Sequence, residues 1–415
     1  MGSIGQRLKI GCLLIMALVA PSASAIPAFA RRYRTACTTC HVLPPQLNSY
    51  GLAFRANGFR MPSGERSRQE KDVQLGAPEW EELFPQAIPP GTVSDLPPLA
   101  AFIRTSLEID RGRVNTEQTQ VLATLLSGGN LGRRVSWFAA GTFADYGGQS
   151  SAGIERLWGS VDDLAGTWLN VRAGYLEPAV VPLSRYTHNL AYEGYLPFES
   201  AGPAGLALSA SRSALEVFGA GSDPGPLRGL QYAVGVAARN ASGGMAADAY
   251  ARASYKFGGV AAAGDRSGEP GRLAPAIAPL EERSLRIGAF AYRATLGGPD
   301  ARPRAWRSGI DADLLLGRIE AFGCGWLGGD SGSSSAPETS SWSYLAGGSV
   351  RPWPWLMFLG RYEAAFLRGG GGAERRVVAT LRAALQQNVA LSADLIVEMP
   401  RAQSTETVGT LFLAF

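Results

Sequence analysis

From about residue 98 onward the chain alternates apolar and polar residues with a period of two, and this constrains its fold more than any other feature. In TWLNVRAGYLE, Leu169, Val171, Ala173 and Tyr175 share one face, against Asn170, Arg172 and Gly174. In ADAYARASYKF, Ala247, Ala249, Ala251, Ala253, Tyr255 and Phe257 oppose Asp248, Tyr250, Arg252, Ser254 and Lys256. NVALSADLIV repeats the pattern, with Val389, Leu391, Ala393, Leu395 and Val397 opposite Asn388, Ser392 and Asp394. Such alternation predicts strands with one apolar and one polar face. The segments run roughly 10 to 13 residues, the length of a tilted membrane strand rather than the 5–6 residues usual in soluble sheets. About sixteen are predicted, from 98–109 through 167–177, 206–220, 246–257 and 284–296 to 406–415. The fold class expected is therefore all-β: a transmembrane barrel of about sixteen antiparallel strands, an even number as single-chain bacterial barrels have.

The connections support this architecture. Those around Gly317, Arg351-Pro352-Trp353-Pro354 and Gln387 are short, whereas alternate ones such as GGDSGSSSAPETSS are long and rich in Gly and Ser. Short turns at one rim and long loops at the other are expected of such barrels. VAAAGDRSGEPGRLAPAIAPLEE breaks the rule, since strand parity puts this long connection on the short-turn rim. Either that turn is unusual or further strands lie nearby. The polar faces carry both signs of charge (Arg172, Arg252, Asp311, Asp313, Arg318, Glu320, Arg361, Glu363, Arg382, Asp394), which predicts a solvated or salt-bridged lumen. A formal net charge of +4 is too small to argue for a nucleic-acid partner.

Both ends of the chain bear on location. Arg7 and Lys9 precede an apolar run from Ile10 to Ala20, and Ala23-Ser24-Ala25 supplies a small-residue cleavage pattern. This reads as a secretory signal peptide over 1–25, too short to serve as a bilayer-spanning anchor. The chain ends STETVGTLFLAF, and its final strand with terminal Phe415 resembles the closing strand of bacterial outer-membrane barrels. The expected location is the bacterial outer membrane, with its lipid as a partner.

Of four cysteines, Cys12 falls in the signal peptide and Cys324 stands alone, so the chain is no disulfide scaffold. Cys37 and Cys40 lie in RTACTTCHV, followed at once by His41, one of only two histidines. Zinc needs about four ligands, and adjacent Cys40 and His41 cannot readily point at one tetrahedral ion. A redox dithiol normally sits in a βαβ setting that these flanks lack. Covalent haem c fits: in C-x-x-C-H both thiols bond the haem vinyl groups and the histidine becomes the proximal iron ligand. In the following LPPQLNSYGLAFRANGF, Pro44 and Pro45 are expected to open a helix. Leu47, Tyr50, Gly51 and Phe54 share its face toward the porphyrin, and Gly58 ends it.

Pro27 to Met61 resembles the N-terminus of the fused monohaem cytochrome–porins of the bacterial outer membrane, which include outer-membrane cytochromes of iron(II)-oxidising bacteria. The residues that carry the resemblance are Phe29-Ala30-Arg31, Cys37 to His41, Pro45-Gln46-Leu47, Tyr50-Gly51 through Phe54, and Asn57-Gly58-Phe59. Tyr50 stands where the family more often has Phe. The resemblance covers about 35 residues and implies one haem c within or beneath the barrel. It implies electron transfer between an extracellular donor or acceptor, ferrous iron foremost, and a periplasmic carrier such as a soluble cytochrome c. The alternative is a diffusion porin with a haem-bearing or vestigial N-terminal plug; a soluble secreted β-protein whose C-x-x-C-H binds metal is a third reading.

The predicted organisation is a signal peptide (1–25), a haem segment (26–70), a Pro-rich connector (71–97) and the barrel (98–415). For the second axial position Met61, just beyond the haem helix, is the first candidate. His188, in the long PLSRYTHNLAYEGYLPFES connection with Tyr186, Tyr192 and Tyr195, is the alternative if that loop folds inward.

Overall fold

A computed structural model describes residues 28–414 except 34, 63–72, 75–91, 94–98, 111–112, 133, 147–148, 200–205, 242–243, 265–277, 279, 296–303, 331–338, 368–371 and 400–404. The expected signal peptide, nearly all of the Pro-rich connector and Phe415 lie outside the described residues.

Sixteen antiparallel strands close into a barrel. They are β1 (Leu99–Asp110), β2 (Arg113–Leu131), β3 (Val135–Tyr146), β4 (Gln149–Val161), β5 (Asn170–Leu176), β6 (Arg212–Ala220), β7 (Leu230–Ala241) and β8 (Gly244–Gly258). There follow β9 (Arg283–Thr295), β10 (Arg304–Leu316), β11 (Ile319–Asp330), β12 (Thr339–Trp353), β13 (Leu356–Leu367), β14 (Gly372–Gln386), β15 (Val389–Met399) and β16 (Thr405–Ala414). Each strand pairs with its sequence neighbours, and β16 closes on β1 with Thr410 opposite Ser106. Closure leaves no unpaired edge, the condition for β-structure in hydrocarbon.

The period-two pattern has an inverted orientation relative to a soluble core. Val234, Val236, Ile287, Ile310, Leu327 and Leu391 point outward and are exposed, while Asp248, Glu216, Arg307 and Glu363 are buried on the lumen side. Exposed aromatics mark both ends, Trp353 and Trp355 at one and Trp306 and Trp342 at the other, as girdles at the two membrane interfaces do. The lumen is salt-bridged: Arg286–Asp313, Arg307–Asp330 and Glu363–Arg376 join neighbouring strands, Arg361 pairs with Glu363 along β13, and Arg252 reaches across β9 to Asp311. Arg318 departs from the expectation, for it sits exposed in the β10–β11 turn and donates to the Pro352 carbonyl.

Four connections differ from the simple rim rule. On the long-loop rim, β1–β2, β3–β4 and β7–β8 are joined through only two residues each, 111–112, 147–148 and 242–243. On the short-turn rim, none of the described residues of the long β8–β9 connection forms a barrel strand. Its near end packs on the N-terminal segment, with Asn57 Nδ2 donating to the Ala263 carbonyl at 2.6 Å.

The β5–β6 connection, 177–211, folds into the lumen rather than projecting from it. Val180, Leu183, Tyr195, Phe198, Leu206 and Leu208 pack there against Tyr250, Phe290, Phe322 and Trp326 of the wall. The wall also clamps the loop through charge: Arg361 donates to Asn189 Oδ1 at 2.6 Å and to the Glu193 and Gly194 carbonyls at 2.7 and 2.8 Å. Arg376 reaches Glu193 Oε2 at 3.0 Å.

A candidate cofactor cavity

The N-terminal segment lies inside the barrel at the short-turn end. It comprises α1 (Ala28–Tyr33), a single helical turn α2 (Cys37–Cys40), a small hairpin of His41–Leu43 with Gln46–Leu47, and α3 (Ser49–Ala56). Pro44 and Pro45 make the hairpin turn rather than the helix start, so Leu47 lies in a strand outside the helix. The start of α3 is set instead by Asn48, whose side chain caps it by accepting from the Gly51 N–H at 2.9 Å. The same amide donates to the Thr38 and Thr39 carbonyls, and the Asn48 N–H reaches the Cys40 carbonyl at 2.9 Å. One residue thus ties α3 to the Cys-x-x-Cys turn. Gly51 completes the contact, since any Cβ there would overlap the Cys40 carbonyl oxygen.

Polar contacts from several walls hold the segment. Cys37 N–H donates to Gln387 Oε1 in the β14–β15 turn at 2.9 Å, and Gln46 Nε2 donates to Glu320 Oε2 at 3.0 Å. Arg60 pairs with Asp162 at 3.0 Å. Leu47 N–H donates to Thr187 of the inward loop at 2.8 Å, so plug and loop meet inside the lumen.

Between them lies a cavity of about 350 Å3. Cys37, Cys40, His41, Phe54 and Met61 line it from the segment, and Tyr186 and Tyr192 from the loop. The aromatic lining continues into the wall. Phe59 stacks on Phe29 at 4.8 Å and on Trp158 at 5.7 Å, and Tyr33 meets Phe54 edge-on at 5.5 Å. Phe59 adopts a left-handed backbone, φ 60°, which bulky residues rarely do. Its carbonyl accepts from Tyr33 Oη at 2.7 Å and Asn130 Nδ2 at 3.2 Å, and these bonds hold the conformation.

The chemistry of the Cys-x-x-Cys-His wall follows from its burial. Desolvation, then the neighbouring Cys37, pushes the Cys40 thiol up to about 12, away from thiolate character. Burial pushes His41 down to about 4, partly offset by the Pro45 and Gln46 carbonyls, which leaves a neutral imidazole able to bind a metal. Its buried Nδ1 has no hydrogen-bond partner among the described residues. Among the described residues no three His, Cys, Asp or Glu side chains group around one point.

The two residues expected as candidate distal ligands, Met61 and His188, lie in different places. Met61 is buried at 2% exposure, lines the cavity and receives the Tyr50 hydroxyl at its Sδ, 3.4 Å away. The inward fold of its loop is as anticipated, yet His188 does not line this cavity. Its Nδ1 meets Tyr195 Oη at 2.5 Å and its Nε2 meets Glu320 Oε1 at 3.2 Å, beside a smaller polar cavity of about 90 Å3.

Sequence reasoning placed Arg382 on a lumen-facing strand face but missed the cavity's other arginines. Arg55, Arg104, Arg156, Arg185 and Arg382 line it, with Glu155 as the one acid among the described lining residues. Arg104 donates to Gln120 at 2.7 Å, Arg382 to the Leu190 carbonyl at 3.1 Å, and Arg185 pairs with Glu199 at 3.5 Å. For Arg104, Arg156 and Arg382 the signal available was their place on strands already predicted; Arg55, on α3, and Arg185, in the inward loop, carried none.

No family model matches the chain, and no curated protein matches it. Solved structures do. The Salmonella typhi OmpF complex with daunomycin is 10% identical with a TM-score of 0.55, over 76% of this chain and 97% of that one. An anion-selective porin from Comamonas acidovorans is 13% identical with a TM-score of 0.54, over 76% and 98%. The in-vitro folded OmpT of Vibrio cholerae is 8% identical with a TM-score of 0.51, over 78% and 98%. The fold is that of a porin. At these identities the likeness speaks for the barrel alone.

Proposed function

We propose that this chain is an outer-membrane monohaem cytochrome–porin that carries electrons between an extracellular donor, ferrous iron foremost, and a periplasmic carrier. The observation that carries the reading is the shared cavity of Cys37, Cys40, His41 and Met61, about 350 Å3 within the barrel mouth. The donor set suits haem c: two thiols two residues apart, a buried neutral imidazole beside them, and an apolar, aromatic surround. The haem, when bound, supplies a one-electron iron couple. Cys37 and Cys40 would hold it through thioethers, and His41 and Met61 would offer an imidazole nitrogen and a thioether sulfur to its iron. Phe54, Phe59 and Trp158 exclude water, and the segment's bonds to Gln387, Glu320 and Asp162 keep these groups near the short-turn rim, within reach of a periplasmic partner.

A diffusion porin with a haem-bearing or vestigial plug is the second reading, and the porin fold favours it. Haem staining and intact mass of the protein from outer-membrane fractions test the cytochrome reading. The mass should exceed that of the polypeptide by one haem and should lose that increment in the Cys37→Ala/Cys40→Ala variant. A wild-type protein without it sinks the reading. Stopped-flow mixing of the oxidised protein with Fe(II) tests the donor; failure to reduce removes iron and leaves the conduit.

A further inference from the structure

Two of the cavity's guanidiniums lack an anionic partner. Those of Arg55 on α3, half-buried, and Arg156 on β4, buried, make no hydrogen bond or ion pair with any described residue. Arg156 is 8% exposed and lies over the Tyr186 ring at 3.8 Å and the Phe138 ring at 4.9 Å, with its Nε buried and unpartnered. Glu177, the carboxylate whose field reaches both, spends Oε2 on Ser184 and leaves Oε1 buried without a partner. Nearby Arg172 is already engaged with Glu216. Burial, with the like charges of Arg172 and Arg156, pushes Arg55 down to about 9. A guanidinium is not readily neutralised, so two of them facing the cavity call for anions inside it. Gly51 and Arg55 are four residues apart on one face of α3, so Arg55 stands one helical turn from the contact with the Cys-x-x-Cys turn.

We propose that Arg55 and Arg156 form a carboxylate-binding corner of the cavity that takes the two propionates of the haem. This rests on the cytochrome reading above. A porphyrin bonded through its vinyl groups to Cys37 and Cys40 carries both propionates together on another edge, and the planar guanidinium fork matches a carboxylate bidentately. The two arginines then orient the macrocycle, keep the propionates ionised and add positive charge beside the iron.

The test is spectroelectrochemical titration of the purified holoprotein and of its Arg55→Gln, Arg156→Gln and Arg55→Lys variants, with Arg318→Gln as an exposed rim control. Losing positive charge near the iron favours the ferric state. The potential should fall in both Gln variants, become dependent on pH near neutrality as the propionates begin to titrate, and recover in part in Arg55→Lys. The control should not move. Potentials and pH profiles unchanged in both Gln variants overturn the proposal while haem attachment stands; a wild-type protein without haem overturns both. A change confined to anion selectivity in planar bilayers assigns the arginines to a passing solute and also overturns it. If the variants do not mature, the infrared redox-difference spectrum of wild-type protein, with propionates carrying carbon-13, decides: ionised bands shifted from free haem at mildly acid pH support the corner, and solvent-like bands refute it.

Discussion

At the scale of single residues, position relative to the cavity separates Met61 from His188. Met61 is buried among Tyr50, Phe54 and Phe59 with its sulfur already oriented by the Tyr50 hydroxyl. His188 has both ring nitrogens engaged, and moving it would strand Glu320 without one of its partners. A thioether on iron raises the potential relative to most replacements. Met61→Ala is therefore expected to lower the potential of the holoprotein and alter its reduced-minus-oxidised spectrum, whereas His188→Gln leaves the spectrum as it was. A spectral change in His188→Gln with none in Met61→Ala would reverse the assignment. Phe59 gives a second case. Alanine there deletes the ring stacked on Phe29 and Trp158 and leaves a strained backbone behind, so a loss of roughly 3–5 kcal/mol is expected for a buried aromatic. Denaturant unfolding of the haem segment, followed at the haem absorbance, reads it.

At the scale of elements, the Cys-x-x-Cys turn and α3 form one unit because Asn48 and Gly51 join them. Asn48→Ala removes a helix cap worth about 1 kcal/mol and also strands the Thr38 and Thr39 carbonyls it serves. Gly51→Ala forces backbone apart, an overpacking of roughly 1–3 kcal/mol. Both variants are expected to insert normally but to carry a lower fraction of covalent haem, measured as the ratio of haem absorbance to protein. Equal occupancy with wild type would mean the turn is positioned without α3. Much of this was legible in the sequence. Strand alternation is dictated locally, since lipid demands an apolar face at every second residue, and so the sixteen predicted strands fall close to those observed. The prolines were read as a helix start because Pro suits that position; what decides is Asn48, whose capping bond is visible only once the turn folds back on it. The cavity arginines were hidden for the opposite reason. A lumen-facing Arg reads identically whether a wall acid, a carbonyl or an empty cavity lies opposite, and only closure of the barrel reveals which.

For the whole molecule, the question is what a porin fold does once its lumen is filled. The segment occupies the short-turn mouth, the 177–211 loop fills the middle, and the two are joined by Leu47 and Thr187. An open diffusion channel needs a continuous aqueous path, whereas an electron carrier needs rigid packing around its cofactor. The clamp of Arg361 and Arg376 on Asn189, Glu193 and Gly194 holds the loop in the lumen, because charge-assisted bonds to loop carbonyls resist the loop's escape. Single-channel recording in planar bilayers should therefore find the native protein conducting far less than an unplugged sixteen-stranded barrel. Removing the clamp should open it, but Glu363 must change as well. Arg361 and Arg376 both pair with Glu363, and leaving that carboxylate buried alone costs about 3–5 kcal/mol. The triple variant Arg361→Ala/Arg376→Ala/Glu363→Gln keeps the wall neutral while freeing the loop, and its conductance is expected to rise several-fold over wild type. A large conductance in the native protein would instead favour the diffusion-porin reading. An unchanged small one in the triple variant would mean that the apolar packing of Tyr195, Phe198 and Leu206 holds the loop without help from charge.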